Sequence, residues 1–361
     1  MNNTIIKNIR VFDGNKLSEV KTIYIKDGLI SDKITDGIVI DGQFNTLIPG
    51  LIDSHIHLSS IKDLENASNW GITTMLDMAT NSPNLVNSLK NKTNLTDVRS
   101  CYYPASGKGS IQISKMGFPE SSAITTKEQA INFIEEQISF DADYIKIILE
   151  DPKIMGSAAL TPEIVKILVE ESHKRNKKVH CHATSIYAYE LAVASDVDVI
   201  SHTPVEQVIS SSLAKTIANK GIIVIPTMIM MEGVINSNKK ISTHKNMSFQ
   251  NVELTVKELK KAGVHIAAGT DANSAEGSFF TLPHGKSLHD ELKLLVKTGF
   301  SPIEALNSAT IIPAKFLQLS DRGSIEIGKK ADLVIIEGDP TVDIEVSQNI
   351  KSIWISGKKI K

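Results

Sequence analysis

Cysteine is scarce. The 361 residues contain two, Cys101 and Cys181, which excludes a disulfide framework and a cysteine-rich zinc cluster. Long apolar runs are also missing. No stretch reaches the roughly 20 residues that a membrane helix needs, and the opening MNNTIIKNIRVFDG lacks the apolar core of a secretory signal. A cytoplasmic protein with no membrane partner is therefore expected. Excess charge is absent too: a formal net charge of −2 offers nothing for nucleic acid or an anionic surface to read. Arginine is rare, at Arg10, Arg99, Arg175 and Arg322 alone. What remains is an ordinary globular composition, 41% apolar and 22% charged, in a chain long enough for more than one structural unit.

Residues 1–48 read as short strands separated by turns: Thr4–Phe12, Thr22–Lys26 and Gly37–Ile40, each followed by an Asp-Gly pair. That spacing predicts a small antiparallel unit. The tail repeats the style, with strands over Ala331–Glu337 and Ile350–Ile355. Between them, apolar runs too short for helices alternate with amphipathic segments. The predicted strands are Gly50–Leu58, Gly71–Met78, Val98–Tyr103, Ala142–Leu149, Lys178–His182, Asp198–His202, Gly221–Met228 and His265–Asp271. Helical patterns cover Thr125–Ser139, Thr161–Asn176, Ile186–Ala194, Val205–Ala218, Phe249–Ala262, His284–Thr298 and Pro302–Ala309. Eight strands with intervening helices predict an α/β chain: a (β/α)₈ TIM barrel over 49–319, beside a β-sandwich domain made from 1–48 and 320–361. Two long loops, Pro104–Ala123 and Ile229–Ser248, are expected to serve as lids or binding walls.

Barrel active sites gather where strands end. The first strand ends in His55-Ile56-His57, whose imidazoles share one face because side chains alternate. The fourth carries Lys146 among isoleucines. The fifth ends in His180-Cys181-His182, the sixth in His202 and the eighth in Asp271. One strand-end histidine is ordinarily a hydrogen-bonded structural residue. Four strands ending in His or Asp are better explained by a shared metal site. A free ammonium among isoleucines is costly to bury, and neutral lysine is its usual escape. Cys181 points to the opposite face and reads as packing.

These motifs, with Pro49-Gly50-Leu51-Ile52-Asp53-Ser54-His55-Ile56-His57, Gly269-Thr270-Asp271-Ala272, Pro283-His284-Gly285-Lys286-Ser287-Leu288-His289-Asp290-Glu291-Leu292 and the Gly323–Val334 tail, resemble the amidohydrolase superfamily of metal-dependent hydrolases. Its dipeptidase and imidazolonepropionase-like members carry the segment around His284. The resemblance implies two divalent metal ions, zinc by default with manganese or iron as substitutes. His55, His57 and Asp271 would hold the more buried ion, and His182 and His202 the second. Lys146 would bridge them as an N6-carboxylated lysine; a neutral or salt-bridged Lys146 beside one metal is the bland alternative. His182, nearer the strand mouth and at the usual interval from His202, is taken as ligand over His180.

The implied reaction is hydrolysis of an amide or related C–N bond by a metal-activated hydroxide, with Asp271 as proton shuttle and His202 as second catalytic residue. The expected partner is a small-molecule substrate, dipeptide-like, N-acylated or a cyclic amide; a homo-oligomer is compatible. Tyr102, Tyr103, His180, His284 and Lys153 are candidate substrate contacts. Tyr102 and Tyr103 read equally as core, and His284 as a helix start. Two features shape the choice among hydrolases. Related single-metal deaminases place Glu three residues after the fifth-strand histidine, where this chain has Ser185. No arginine is placed to clamp a peptide carboxylate. A mononuclear deaminase or imidazolone-type ring hydrolase, and a catalytically silent barrel acting as a binding protein, stand as alternatives.

Overall fold

Short β-branched stretches bounded by Gly-containing turns make the strands at both ends of the chain. The computed structural model describes residues 3–237, 247–274 and 280–361. It opens with β1 (Thr4–Val11), β2 (Lys21–Lys26), β3 (Leu29–Ser31), β4 (Ile38–Asp41) and β5 (Thr46–Pro49). The middle strands are β6 (Leu51–Ile56), β7 (Ile72–Asp77), β8 (Asp97–Ser100), β9 (Pro104–Ala105), β10 (Ile145–Leu149), β11 (Val179–Ala183), β12 (Val199–Ser201) and β13 (Ile223–Ile225). The chain closes with β14 (Leu333–Ile336), β15 (Ile350–Ile355) and β16 (Lys358–Lys359).

The terminal strands share one eight-stranded sheet in the order β16-β15-β14-β5-β1-β2-β3, with β4 on β1. The two ends of the chain meet where Leu333–Ile336 pair antiparallel with Thr46–Pro49. Ile6, Ile9, Ile25, Leu47, Leu333, Ile335 and Trp354 form its buried core. The expected all-antiparallel pairing is corrected in one respect: β1 runs parallel to β4 and to β5. Asn8, at φ 55°, interrupts β1, so its first half serves β4 and its last residues serve β5. Asparagine tolerates that left-handed conformation.

The middle strands form two parallel sheets, β6-β7-β8 and β13-β12-β11-β10-β9. Every residue of β6, β7, β10 and β13 is buried, as required of strands covered on both faces. The covering helices are α1 (Ile61–Asn69), α2 (Pro83–Leu89), α3 (Ile111–Ser114), α4 (Lys127–Ser139), α5 (Pro152–Met155), α6 (Pro162–Lys174), α7 (Ile186–Ala194), α8 (Ser211–Lys220), α9 (Met228–Asn236), α10 (Phe249–Lys261), α11 (Lys286–Lys297), α12 (Pro302–Ser308) and α13 (Ile311–Phe316). Their apolar stripes face inward; on α6 these are Ile164, Val165, Leu168 and Val169.

Two predicted strands differ. Val98–Tyr103 breaks after Ser100, because Tyr102 turns into the left-handed region at φ 59° and the chain resumes pairing only at β9. His265–Asp271 makes bridges in place of a ladder. His265 and Ala267 bond to Val224 of β13, while Ala268, Thr270, Asp271 and Ala272 bond to Ser54, His55 and His57. The segment thus changes partner half-way, from β13 to β6. Gly269 permits the approach: a Cβ there would lie 2.5 Å from Ile225 Cγ2 and 2.9 Å from the His55 nitrogen. Of the long loops, Pro104–Ala123 holds β9 and α3. The other begins as helix α9, and its residues 238–246 lie outside those described.

Candidate active site and metal centre

Three donors converge at the end of β6. His57 Nε2 lies 3.1 Å and His55 Nε2 3.5 Å from Asp271 Oδ1. Together they form, among the described residues, a set of ligand atoms within 4.8 Å of one another. Each is held from behind. His57 Nδ1–H donates to the Ala79 carbonyl at 2.8 Å, which turns Nε2 toward Asp271. Asp53 accepts from Thr270 Oγ1 at 2.7 Å, from the Thr270 N–H at 3.0 Å and from the His55 N–H. It therefore ties β6 to the residue before Asp271. Burial pushes the Asp53 pKa up to about 7 against those hydrogen bonds.

His202 joins from the residue just past β12. Its ring lies 4.8 Å from that of His55 and 4.5 Å from that of His182, and its Nδ1 lies 4.0 Å from Asp271 Oδ2. Burial, with neighbouring positive groups, holds the pKa values of His55 and His202 well below the ordinary histidine value, so both present neutral rings. Burial lowers His57 as well, but the hydrogen bond and charge of Asp271 outweigh it and raise its pKa. Lys146, 2% exposed, has a buried Nζ with no hydrogen-bond partner among the described residues. Burial lowers its pKa, partly opposed by Cys101, Cys181, Asp271 and Asp77.

Other expected contacts sit elsewhere. The Tyr102 hydroxyl donates to Asn87 at 2.7 Å, and its buried ring packs on Phe140, so its ring and its hydroxyl are both engaged within the core. Tyr103 lies edge-on to Phe118 and Phe140. His284 is buried with Nε2 3.1 Å from the His57 carbonyl and Nδ1 3.3 Å from Asp63; both nitrogens are committed to protein. Lys153 is exposed on the first turn of α5. His180 stacks on Tyr144, centroids 4.3 Å apart, and lines a cavity of about 230 Å³ with Arg99, Lys178 and Leu317–Asp321. It shares a face with His182 but lies one pleat repeat nearer the start of β11, on the side of this cavity.

The amidohydrolase family model covers residues 46–360. The chain belongs to that family. It is an amidohydrolase, an enzyme acting on C–N bonds. It is 27% identical to the enamidase of Eubacterium barkeri over 93% of this chain and 87% of that protein. It is 24% identical to an adenine deaminase of Clostridium perfringens over 99% of its own length, spanning 59% of the longer deaminase. The solved structure of a Xaa-Pro dipeptidase with bound methionine superposes with a TM-score of 0.82 at 20% identity, over 99% of this chain and 100% of that one. That likeness carries the fold, a TIM-barrel-like α/β architecture.

Seen as an amidohydrolase, the chain has a further acid that strand-end reading missed. Glu150 directly follows β10, and its Oε1 lies 4.0 Å from His182 Nε2. Burial alone lifts its pKa to about 7. The signal available in the sequence was its position, an acid immediately after an apolar strand. All four arginines of this amidohydrolase are engaged elsewhere: Arg10 with the Phe44 carbonyl, Arg99 with Asp97 and Asp143, Arg175 with Glu135 and Glu171, and Arg322 with Asp97, Asp321 and Thr74.

Proposed function

We propose that this amidohydrolase hydrolyses an amide or related C–N bond of a small molecule, N-acylated, cyclic or dipeptide-like, using two divalent ions. The observation that carries the reading is the buried Lys146 Nζ, without a hydrogen-bond partner among the described residues, beside the neutral rings of His55 and His202 and the Asp271 carboxylate. The donor set fits a divalent ion. Ligands about 2.0–2.2 Å from one zinc stand roughly 3.3 Å apart, and the Asp271–histidine separations of 3.1 and 3.5 Å match. The neutral rings of His55 and His202 are in the form a metal requires. His55, His57 and Asp271 would hold one ion, His182 and His202 the other, and an N6-carboxylated Lys146 would turn an unsatisfied amine into a bridging carboxylate.

When bound, the ions supply Lewis acidity, acidifying water and polarising the scissile carbonyl. The proton work falls to Asp271. Its Oδ1 faces His55 and His57, leaving Oδ2 on the His202 side to take the proton of the attacking water and deliver it to the leaving nitrogen. His202, with Nδ1 bonded to Thr227 Oγ1 at 2.8 Å, keeps a fixed ring beside that oxygen. The absence of a nearby arginine weakens a dipeptide reading and favours N-acyl or cyclic amides. A second reading has its own support: the tightest donor set, His55, His57 and Asp271, suffices for one metal. A mononuclear deaminase or ring hydrolase would need no bridge.

The same reading takes 49–319 as a (β/α)₈ barrel, with 264–272 in the place of the eighth strand. It takes 1–48 and 320–361 as one composite β-sandwich unit. The hydrogen bonds of the 264–272 segment to both β13 and β6 support closure.

The test is metal content beside a hydrolysis screen of N-acyl amino acids, cyclic amides and dipeptides. About two equivalents per chain with amide turnover, abolished in Asp271→Asn at unchanged fold, is the expected result. One equivalent with ammonia release from an amino-heterocycle selects the second reading. An Asp271→Asn enzyme near the wild-type rate removes the proton role.

A further inference from the structure

We infer that Thr227 and Glu291 are positioning residues for His202. Glu291 of α11 caps the first turn of α9 in place of Thr227, which frees the threonine hydroxyl to fix the His202 ring. The inference rests on the reading of His202 as a metal ligand and extends it to residues that touch neither metal nor substrate.

An N-cap residue ordinarily has extended backbone, and its side-chain oxygen accepts from the N–H groups of the first turn. The caps of α6, α7 and α8 behave so: Thr161, Ser185 and Ser210 accept from Ile164, Ala188 and Leu213. Thr227, the N-cap of α9, does not. It sits at φ 46°, ψ 46° and makes no side-chain cap bond. A left-handed β-branched residue is an outlier that its surroundings must hold in place. Its Oγ1 points instead at His202, 2.8 Å from Nδ1.

The cap that Thr227 gives up comes from across the structure. Glu291 Oε1 accepts from the Met228 N–H at 3.0 Å and Oε2 from the Ile229 N–H at 2.8 Å. Glu291 is fully buried, and a helix N-terminus is where a buried carboxyl group is best tolerated. The histidine backbone is held as well, since the Tyr189 hydroxyl donates to the His202 carbonyl at 2.6 Å. Ring rotation is then the freedom left to His202, and the Thr227 hydroxyl removes it. With Nδ1–H donated to Oγ1, the Nε2 lone pair is the one offered to a metal. This gives a purpose to the acid in His289-Asp290-Glu291-Leu292 that the reaction itself leaves unused.

The experiment compares wild type with Thr227→Val, Thr227→Gly, Thr227→Ser and Glu291→Gln. Glycine suits the positive φ and so separates loss of the hydroxyl from loss of the fold. Imidazole ¹⁵N–¹H correlations of the metal-free protein give the His202 tautomer, and zinc titration gives each affinity. Wild type and Thr227→Ser should hold His202 with the proton on Nδ1. Thr227→Val, Thr227→Gly and Glu291→Gln should show mixed tautomers. Their second zinc equivalent should weaken by about 10- to 100-fold, the range for lost support of a metal ligand, with the first unchanged. Unaltered His202 signals and zinc affinities in those three variants would overturn the inference, even if they melt earlier, since a purely structural cap predicts only the melting change. A wild type that binds one zinc refutes the two-metal reading alone, and the tautomer measurement still decides this one.

Discussion

Replacing Lys146 by methionine should make the metal-free protein more stable while removing its function. The side chain is 2% exposed and its Nζ has no hydrogen-bond partner among the described residues. An unmade hydrogen bond of a buried polar group costs about 1–3 kcal/mol. Methionine keeps nearly the same length and contacts, so Lys146→Met should recover about that much. For a chain of this size the gain is about 1–4 °C of melting temperature, at roughly 1.3 °C per kcal/mol.

The gain should depend on pH. Burial lowers the lysine pKa below its value of 10.5, so the unfolded chain binds the proton more tightly than the folded one. The penalty is full below the folded pKa and fades as pH rises toward 10.5. The advantage of the methionine variant should therefore shrink at alkaline pH. Urea unfolding of chelator-treated protein at pH 7 and pH 10, beside metal analysis of untreated protein, measures both effects. The variant should bind about one equivalent fewer and lose most activity, and Lys146→Ala should regain some with a short-chain carboxylate. A methionine variant that is several kcal/mol less stable would mean the amine has a structural partner. One with unchanged metal content would sink the bridging lysine.

Three further outcomes are expected. Asp63 is buried, and although burial raises its pKa, His284 and the Ser59 and Ser274 donors bring it down to about 2. Its contribution is present above the unfolded value near 4 and lost as pH falls toward 2, so Asp63→Asn should cost about 2 kcal/mol at pH 7. A variant-to-wild-type gap that does not narrow on acid titration would refute this. His182→Asn should lose one metal equivalent and His180→Asn should keep both, because His180 stacks on Tyr144, one pleat repeat nearer the start of β11; the reverse order in metal analysis would reassign the ligand. Gly269→Ala places a Cβ 2.9 Å from the His55 nitrogen. Overpacking of this kind costs about 1–3 kcal/mol and should weaken metal binding as well; an unchanged zinc affinity would show that His55 stays in place.

The residues of the candidate site were legible because their positions are local facts. His55 and His57 share a face through the two-residue repeat of a strand, and His182, His202 and Asp271 each follow an apolar run. Periodicity therefore found both the run and its end. Residues that act across the fold carry no such mark. Glu150 follows a strand as the histidines do, but a lone acid after an apolar run usually marks a solvated turn. Thr227 and Glu291 lie 64 positions apart by number, in α9's cap and in α11, and only the packed helices bring them to one another.

The misread elements share a cause. Periodicity locates side chains but says little about where the backbone turns left-handed. Tyr102 and Asp271 both have positive φ, 59° in each case. The first breaks a predicted strand and carries its ring into the core. The second ends another and swings its carboxylate onto His55 and His57. A left-handed non-glycine residue is costly unless its surroundings fix it, and at Asp271 the fixing groups are identifiable: the His55 carbonyl receives its N–H at 2.7 Å, and Asp53 holds the preceding threonine. The departure from strand geometry that defeated the sequence pattern at residue 271 is thus what aims the carboxylate. A regular eighth strand would have left Asp271 on the ladder, hydrogen-bonded in register and without the turn that brings Oδ1 between the two histidines.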